Sequence, residues 1–197
     1  MKVLSWFAKR ILWLLGWRLD GDIPPIKKAI IVGAYHTSNW DGVLLILAGI
    51  AQGRRIRWIG KHTLFAGLAG PFVRLVGGIA INRTVSSGVV EEAVKTFNRS
   101  DDLLLTVAPE GTRRRVSRWK RGFYYIAVGA GVPLILAAPD YPTRRVIIGP
   151  TIYPTGDIEA DVEKLRAFYE TTTPKFPEQA GPIFVATSTR QDAAVAE

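Results

Sequence analysis

The 197-residue sequence contains no cysteine and only two histidines, His36 and His62. The first absence excludes disulfides, thiolate catalysis and the usual cysteine-bound zinc sites; the second leaves too few imidazoles for a histidine metal cluster, so no metal is expected. Gly-x-Ser-x-Gly, the turn that presents the nucleophile of common serine hydrolases, is missing. A P-loop and a dinucleotide fingerprint are missing too. Near the N-terminus the apolar run Ile11 to Trp17 falls far short of the roughly 20 residues needed to span a bilayer, and Arg10 and Arg18 bracket it. No small-residue cleavage site of the signal-peptide kind follows. There is no internal repeat and no long linker.

What is present is greasy and basic. Hydrophobic residues make up 48% of the chain and the mean hydropathy is +0.13, enough for one domain with a sizeable core. The net charge of +9 is uneven: residues 1–150 hold 22 Lys and Arg against 9 Asp and Glu, whereas residues 151–197 hold 4 against 8. The basic field of the main body attracts anions: phosphorylated small molecules, anionic lipid or nucleic acid.

The first 22 residues read as an amphipathic segment. Leu4, Phe7, Ala8, Ile11, Leu14 and Leu15 fall on one helical face, Trp6, Trp13 and Trp17 form a second stripe, and Lys2, Ser5 and Lys9 lie opposite. Either this helix docks on its own core, or it lies on a membrane surface. Three tryptophans within residues 6–17 favour the membrane, because indole rings partition to headgroup depth. The expected location is membrane-associated, peripheral or monotopic, on the cytoplasmic face.

From residue 23 to 187 apolar runs alternate with helical patterns. Strands are expected at 29–34, 56–59, 79–81, 103–108, 134–138 and 146–148. Helices are expected from about residue 40, over 123–130, and at two further places. One is capped by Ser86 or Ser87 and carries Val90, Val94 and Phe97; the other carries Ile158, Val162, Leu165 and Phe168. The stretch from Leu64 to Val76 reads as helix or loop. This alternation predicts a single α/β domain with a central mixed sheet flanked by helices. The polar, alanine-rich tail over 188–197 is expected to fray.

The chemistry concentrates where strands end. His36 and Asp41 stand five positions apart, between a buried strand and a helix with Ser38 or Asn39 at its N-cap. Asp41 in the first helical turn can fold back towards the imidazole, fixing its tautomer and stabilising the imidazolium formed when the other ring nitrogen takes a proton. Ser38-x-x-Asp41 also fits a capping box, in which Asp41 serves only the helix end. Pro109-Glu110-Gly111-Thr112-Arg113 follows another buried strand, and in an open α/β sheet the carboxyl ends of the strands form the usual ligand crevice, so His36 and Glu110 can meet there. In Gly77-Gly78-Ile79-Ala80-Ile81-Asn82-Arg83 the glycines allow close backbone approach, and Arg83 offers a forked cation suited to phosphate. Val132-Pro133-Leu134-Ile135 enters a strand.

In this order the four segments resemble the four blocks of the glycerolipid acyltransferases, in particular the 1-acylglycerol-3-phosphate (lysophosphatidic acid) acyltransferases. The resemblance runs from about His36 to Ala138. It implies an α/β domain with a membrane-associated N-terminal element. The implied reaction moves a fatty acyl group from acyl-CoA or acyl carrier protein to the hydroxyl of a lysophospholipid, with 1-acylglycerol-3-phosphate giving phosphatidic acid. No cofactor is implied beyond the thioester co-substrate. His36 is then the general base and Asp41 its partner, while Arg83, Glu110, Gly111, Thr112 and Arg113 fall on positions tied to the acceptor's glycerol phosphate. Glu110 would repel a phosphate, so acceptor hydroxyls or the orientation of Arg83 suit it better. Backbone N–H groups near Gly111 or the fourth block are candidates for stabilising an oxyanion. Ala108 stands where the family usually has a bulky residue, and Leu136 and Ala137 where its fourth block often carries a second proline.

Arg113, Arg114, Arg115, Arg118, Lys120 and Arg121 place six cations in nine residues. A solvated basic face is the default reading, and anionic headgroups or the donor's phosphates are the partners that the resemblance favours. Trp119 and Phe123 either insert at that interface or enter the core. Lys61 is a further phosphate candidate, and His62 reads as structural. Rival classes are the same chemistry on another lysolipid (a lyso-ornithine lipid, another lysophospholipid or a glycolipid), a hydrolase using water as acceptor, and a non-catalytic module binding anionic lipid or nucleic acid. Nucleic acid is not the expected partner.

Overall fold

The computed structural model describes residues 2–68, 70–81 and 88–183. Three apolar runs form the centre of the fold because both of their faces are covered, and strands in that position read as continuous hydrophobic sequence. These are β2 (Lys28–Gly33), β5 (Leu103–Val107) and β6 (Leu134–Asp140). Around them β1 (Arg18–Asp20), β3 (Ile56–Lys61), β4 (Gly78–Ile81) and β7 (Arg145–Ile152) complete a seven-stranded sheet in the order β1-β7-β6-β2-β5-β3-β4. Strands β6, β2, β5, β3 and β4 run parallel; β7 is antiparallel to β6, and β1 is parallel to β7. The sheet is mixed, as expected.

Alternation along the central strands sends side chains to two cores. Ile30, Val32, Leu103, Leu105, Leu134 and Leu136 face helices α4 (Val89–Arg99), α5 (Gly122–Ala130) and α6 (Ile158–Tyr169). Ala29, Ile31, Leu104, Ile135 and Ala137 face α1 (Lys2–Leu14) and α2 (Asn39–Ala51). A short helix, α3 (Gly70–Leu75), lies in the stretch left open as helix or loop. Trp119 and Phe123, each 2% exposed, enter the first core and not a surface.

Several elements differ from their sequence reading. Strand β1 carries no sequence signal, since three residues with one apolar side chain show no period. Strand β7 continues to Ile152 through Gly149 and Pro150, where the β6–β7 register is irregular and β1 no longer pairs, so the missing proline N–H breaks no regular ladder. Helix α4 has Gly88 at its N-cap, and Ser86 and Ser87 lie outside the described residues.

Helix α1 docks on α2 through Ser5, Ala8 and Leu12, with the Ser5 hydroxyl donating to Ala51 O. Ser5 therefore belongs to the docked side and not to the polar face with Lys2 and Lys9. Most of the large apolar residues of α1 point outward: Val3, Leu4, Trp6, Phe7, Ile11, Trp13 and Leu14 are all exposed. Trp17 leaves that stripe. The helix ends at Leu14 and the chain turns at Gly16 (φ 75°), so helical spacing no longer applies, and the Trp17 ring packs edge-on against Tyr141 with centroids 5.0 Å apart. Among the described residues no helix is long and apolar enough to cross a membrane.

Candidate active site

His36 follows β2 at the carboxyl edge of the parallel strands, and α2 begins three residues later with Ser38 as N-cap. The capping box is formed. The Ser38 hydroxyl accepts from Trp40 N at 3.2 Å, and Asp41 Oδ2 accepts from Thr37 N and Ser38 N, both at 2.7 Å. The same Oδ2 lies 3.6 Å from His36 Nδ1. That distance exceeds a direct N–H···O bond, so the contact is an ion-pair approach and not a closed hydrogen bond. The two readings of Asp41 thus coincide: one carboxylate caps the helix and faces the imidazole. Asp41 is 2% exposed, while the His36 side chain is 29% exposed and open to a reactant. With Nδ1 turned to Asp41, Nε2 is the nitrogen left to exchange a proton.

Glu110 lies beneath this loop, 5% exposed, after the end of β5. Its Oε1 accepts the backbone N–H of His36 at 3.1 Å, so the two strand ends meet as expected, with main chain as the point of contact. Burial pushes the carboxyl up to about 7, outweighing the backbone N–H groups of Glu110 and His36 that favour its charged form. Gly111 turns the chain at φ 66°, and a Cβ there would sit 3.1 Å from the Lys120 side chain. The Gly111 N–H donates to Ala108 O at 3.1 Å, which closes the turn. Gly77 (φ 91°) also makes a close approach, its position for a Cβ lying 2.2 Å from Ile56 O of β3.

Beyond the turn an open cleft of about 640 Å³ is lined by residues 37–40, Thr112, Arg113, Arg114, Arg115, Phe176 and Gln179. Arg113 Nη1 donates to Asn39 Oδ1 at 2.6 Å, tying the arginine turn to the first residue of α2. The chain after α6 closes the other side: Phe176 N donates to Thr37 Oγ1 at 3.4 Å, and the Gln179 amide faces the carbonyls of Arg113 and Thr37, to which its nitrogen donates at 2.7 and 3.2 Å once the amide is turned to satisfy both. His36 is not in the cleft wall but adjoins it through Thr37. The exposed Thr112 accepts from Arg114 N at 3.3 Å. Arg83 lies outside the described residues, as do the side chains of Lys61 and His62; the backbone of Lys61 ends β3.

The family model of the acyltransferases matches residues 19–142, a span that contains His36, Asp41 and the arginine turn. The chain belongs to the acyltransferase family. No curated protein matches it in sequence. Among solved structures it is similar to the 1-acyl-sn-glycerophosphate (LPA) acyltransferase PlsC from Thermotoga maritima, with a TM-score of 0.58 and 24% identity over 86% of this chain and 75% of that one. At that identity the likeness speaks for the fold.

Two features of this candidate site go beyond the sequence reading. Arg114 and Arg115, read from the sequence only as part of a basic stretch suited to headgroups or donor phosphates, line the cleft beside Arg113. Tyr141 reaches Asp41 Oδ1 through its hydroxyl at 2.6 Å, from the turn between β6 and β7. A separation of 100 residues carries no motif spacing, so no sequence signal marks it.

Proposed function

We propose that this acyltransferase moves a fatty acyl group from an acyl-CoA or acyl carrier protein thioester to the free hydroxyl of a lysophospholipid. The acceptor is 1-acylglycerol-3-phosphate and the product phosphatidic acid. The observation that carries the reading is the placement of a half-open imidazole, backed by a buried carboxylate, beside a cleft walled by three consecutive arginines. Arginine matches phosphate with paired donors, which suits an acceptor headgroup. The Thermotoga maritima protein is a 1-acyl-sn-glycerophosphate acyltransferase, which agrees with that acceptor.

In the proposed reaction His36 Nε2 takes the proton of the acceptor hydroxyl, and the oxygen attacks the thioester carbonyl. The tetrahedral intermediate collapses with loss of thiolate, which receives the proton from the imidazolium. Asp41 stabilises the imidazolium between the two steps, and no acyl-enzyme forms. Holding both substrates on one platform can contribute about 7–11 kcal/mol of the barrier lowering. Arg113, with Arg114, Arg115 and Arg83, holds the phosphate, with Thr112 and Lys61 assigned to the same binding role, and Gly111 shapes the turn. Glu110 supports the His36 backbone from below.

The outward apolar residues of α1 lay the protein on an anionic membrane surface, peripheral or monotopic, on the cytoplasmic face, where lysolipid is presented. The test is to incubate the purified protein with a panel of lysolipids and acyl-CoA or acyl carrier protein thioesters and to identify products by mass. Acylated lysophosphatidate is the expected product. Free fatty acid alone would make it a hydrolase, and salt-sensitive nucleic-acid binding without thioester turnover would make it a binding module.

A further inference from the structure

Asp41 has two oxygens, and they are held differently. Oδ2 accepts two backbone N–H bonds and faces His36, so it acts as a pivot at the helix end. Rotation about that pivot decides whether the carboxylate presents a lone pair to Nδ1. Oδ1 takes the hydroxyl of Tyr141 at 2.6 Å, a short contact of the charge-assisted kind.

Tyr141 is itself fixed. Trp17 packs edge-on against its ring (5.0 Å, 86°), and its backbone N–H donates to Thr173 O at 3.0 Å. The preceding Asp140 accepts from Thr143 N and Thr143 Oγ1 with one oxygen and from Thr173 N with the other, locking the turn from which Tyr141 projects. Burial, then the hydrogen bond to Asp41 and its charge, raise the phenol well above its ordinary value, so it remains a donor wherever the enzyme works. The titratable groups gathered around Asp41 are His36, Tyr141 and, further in, Glu110, whose carboxyl is raised in part by Asp41. Because Asp41 is buried, removal of the phenol hydroxyl leaves a carboxylate oxygen short of a donor.

We propose that Tyr141 is a positioning residue: by holding Asp41 Oδ1 it sets the rotation of the carboxylate against His36, and Trp17 seats it. The inference rests on the acyl-transfer reading given above, so the experiment carries one arm that needs no turnover. Tyr141→Phe keeps the ring and its packing and removes only the hydroxyl. It is expected to lower kcat about tenfold, the scale of a lost hydrogen bond to a charged group, with KM for acceptor and donor unchanged. In the Asp41→Asn background the same change should cost nothing further, because the group it acts through is gone. In the second arm, the ring ¹⁵N resonances of His36 at one fixed pH should move in Tyr141→Phe while those of His62 do not. Losses that multiply in the double variant, or an unchanged kcat in an active wild type, overturn the proposal. So do unmoved His36 resonances, and these count even if the wild type shows no acyl transfer, an outcome that would by itself sink the functional reading.

Discussion

Glu110 Oε1 accepts the backbone N–H of His36 at 3.1 Å, across 74 residues of sequence. Its other oxygen is buried with no hydrogen-bond partner among the described residues. A carboxyl in that setting favours its neutral form, and burial raises it from 4.5 to about 7. Between those values the folded chain binds more protons at Glu110 than the unfolded chain does. Stability linked to this group is therefore greatest at low pH and falls as pH rises through the folded value. Glu110→Gln keeps an oxygen for His36 N–H but cannot ionise. From about pH 5 to about pH 8 the wild type should lose about 2 to 3 kcal/mol of stability relative to Glu110→Gln. Denaturant unfolding of both proteins at the two pH values measures the difference; parallel curves would show that Glu110 does not titrate in this window.

Asp41 carries two duties that substitution can separate. Asp41→Asn retains an oxygen acceptor for Thr37 N and Ser38 N, so the helix end should survive while turnover falls severely, since a neutral amide cannot stabilise an imidazolium. Asp41→Ala removes the capping box as well and should cost about 1–2 kcal/mol of stability in addition. His36→Ala should reduce turnover by about 100- to 10,000-fold, the usual loss with a general base, with the fold intact. A folded His36→Ala protein turning over at near-wild-type rate would dismiss the proposed base.

The arginine cleft leads to a prediction about which substrate suffers. Arg113→Ala, and the paired change of Arg114 and Arg115 to Ala, should raise KM for a phosphorylated acceptor about tenfold or more, the scale of a lost charge-assisted bond. KM for the thioester should move less. Arg83→Ala is expected to behave like Arg113→Ala. Steady-state kinetics with each substrate varied separately decides the matter, and equal weakening of both would move these arginines away from the acceptor.

How much of this was readable in the chain depends on the range of the interaction that fixes each feature. Strands β2, β5 and β6 announce themselves because burial on both faces demands unbroken apolar runs, and α2 because its N-cap and its apolar turns are local. Strand β1 is invisible because its place in the sheet comes from β7, more than 120 residues away. His36, Asp41 and the Pro109–Arg113 turn are legible through spacing and order. The contact of Glu110 with main chain is not, since an acceptor's partner leaves no mark on composition. Trp17 shows the converse error: periodicity assigned it to the stripe of Trp6 and Trp13, but the helix ends before it, and Tyr141 claims the ring.

The outward face of α1 supplies the last prediction. Deleting residues 1–18 would strip Ala8 and Leu12 from α2 and Trp17 from Tyr141, so that truncation would report on folding as much as on membrane binding. Trp6, Phe7 and Trp13 are each more than half exposed and can be changed without opening the core. Replacing all three with serine should leave thermal unfolding close to wild type. Full burial of a large apolar side chain is worth about 1.5–3 kcal/mol, so even partial insertion of three predicts more than about a tenfold loss of vesicle affinity. Activity on membrane-presented lysolipid should fall with it, while a short-chain, water-soluble acceptor is still turned over. High salt should weaken wild-type binding only in part, because screening removes the attraction of the basic groups and leaves apolar insertion. Co-sedimentation with anionic vesicles, alongside assays of both acceptors, makes the comparison. A triple variant that binds vesicles as tightly as the wild type would move the membrane-facing surface away from α1, to the basic stretch around Arg113–Arg121.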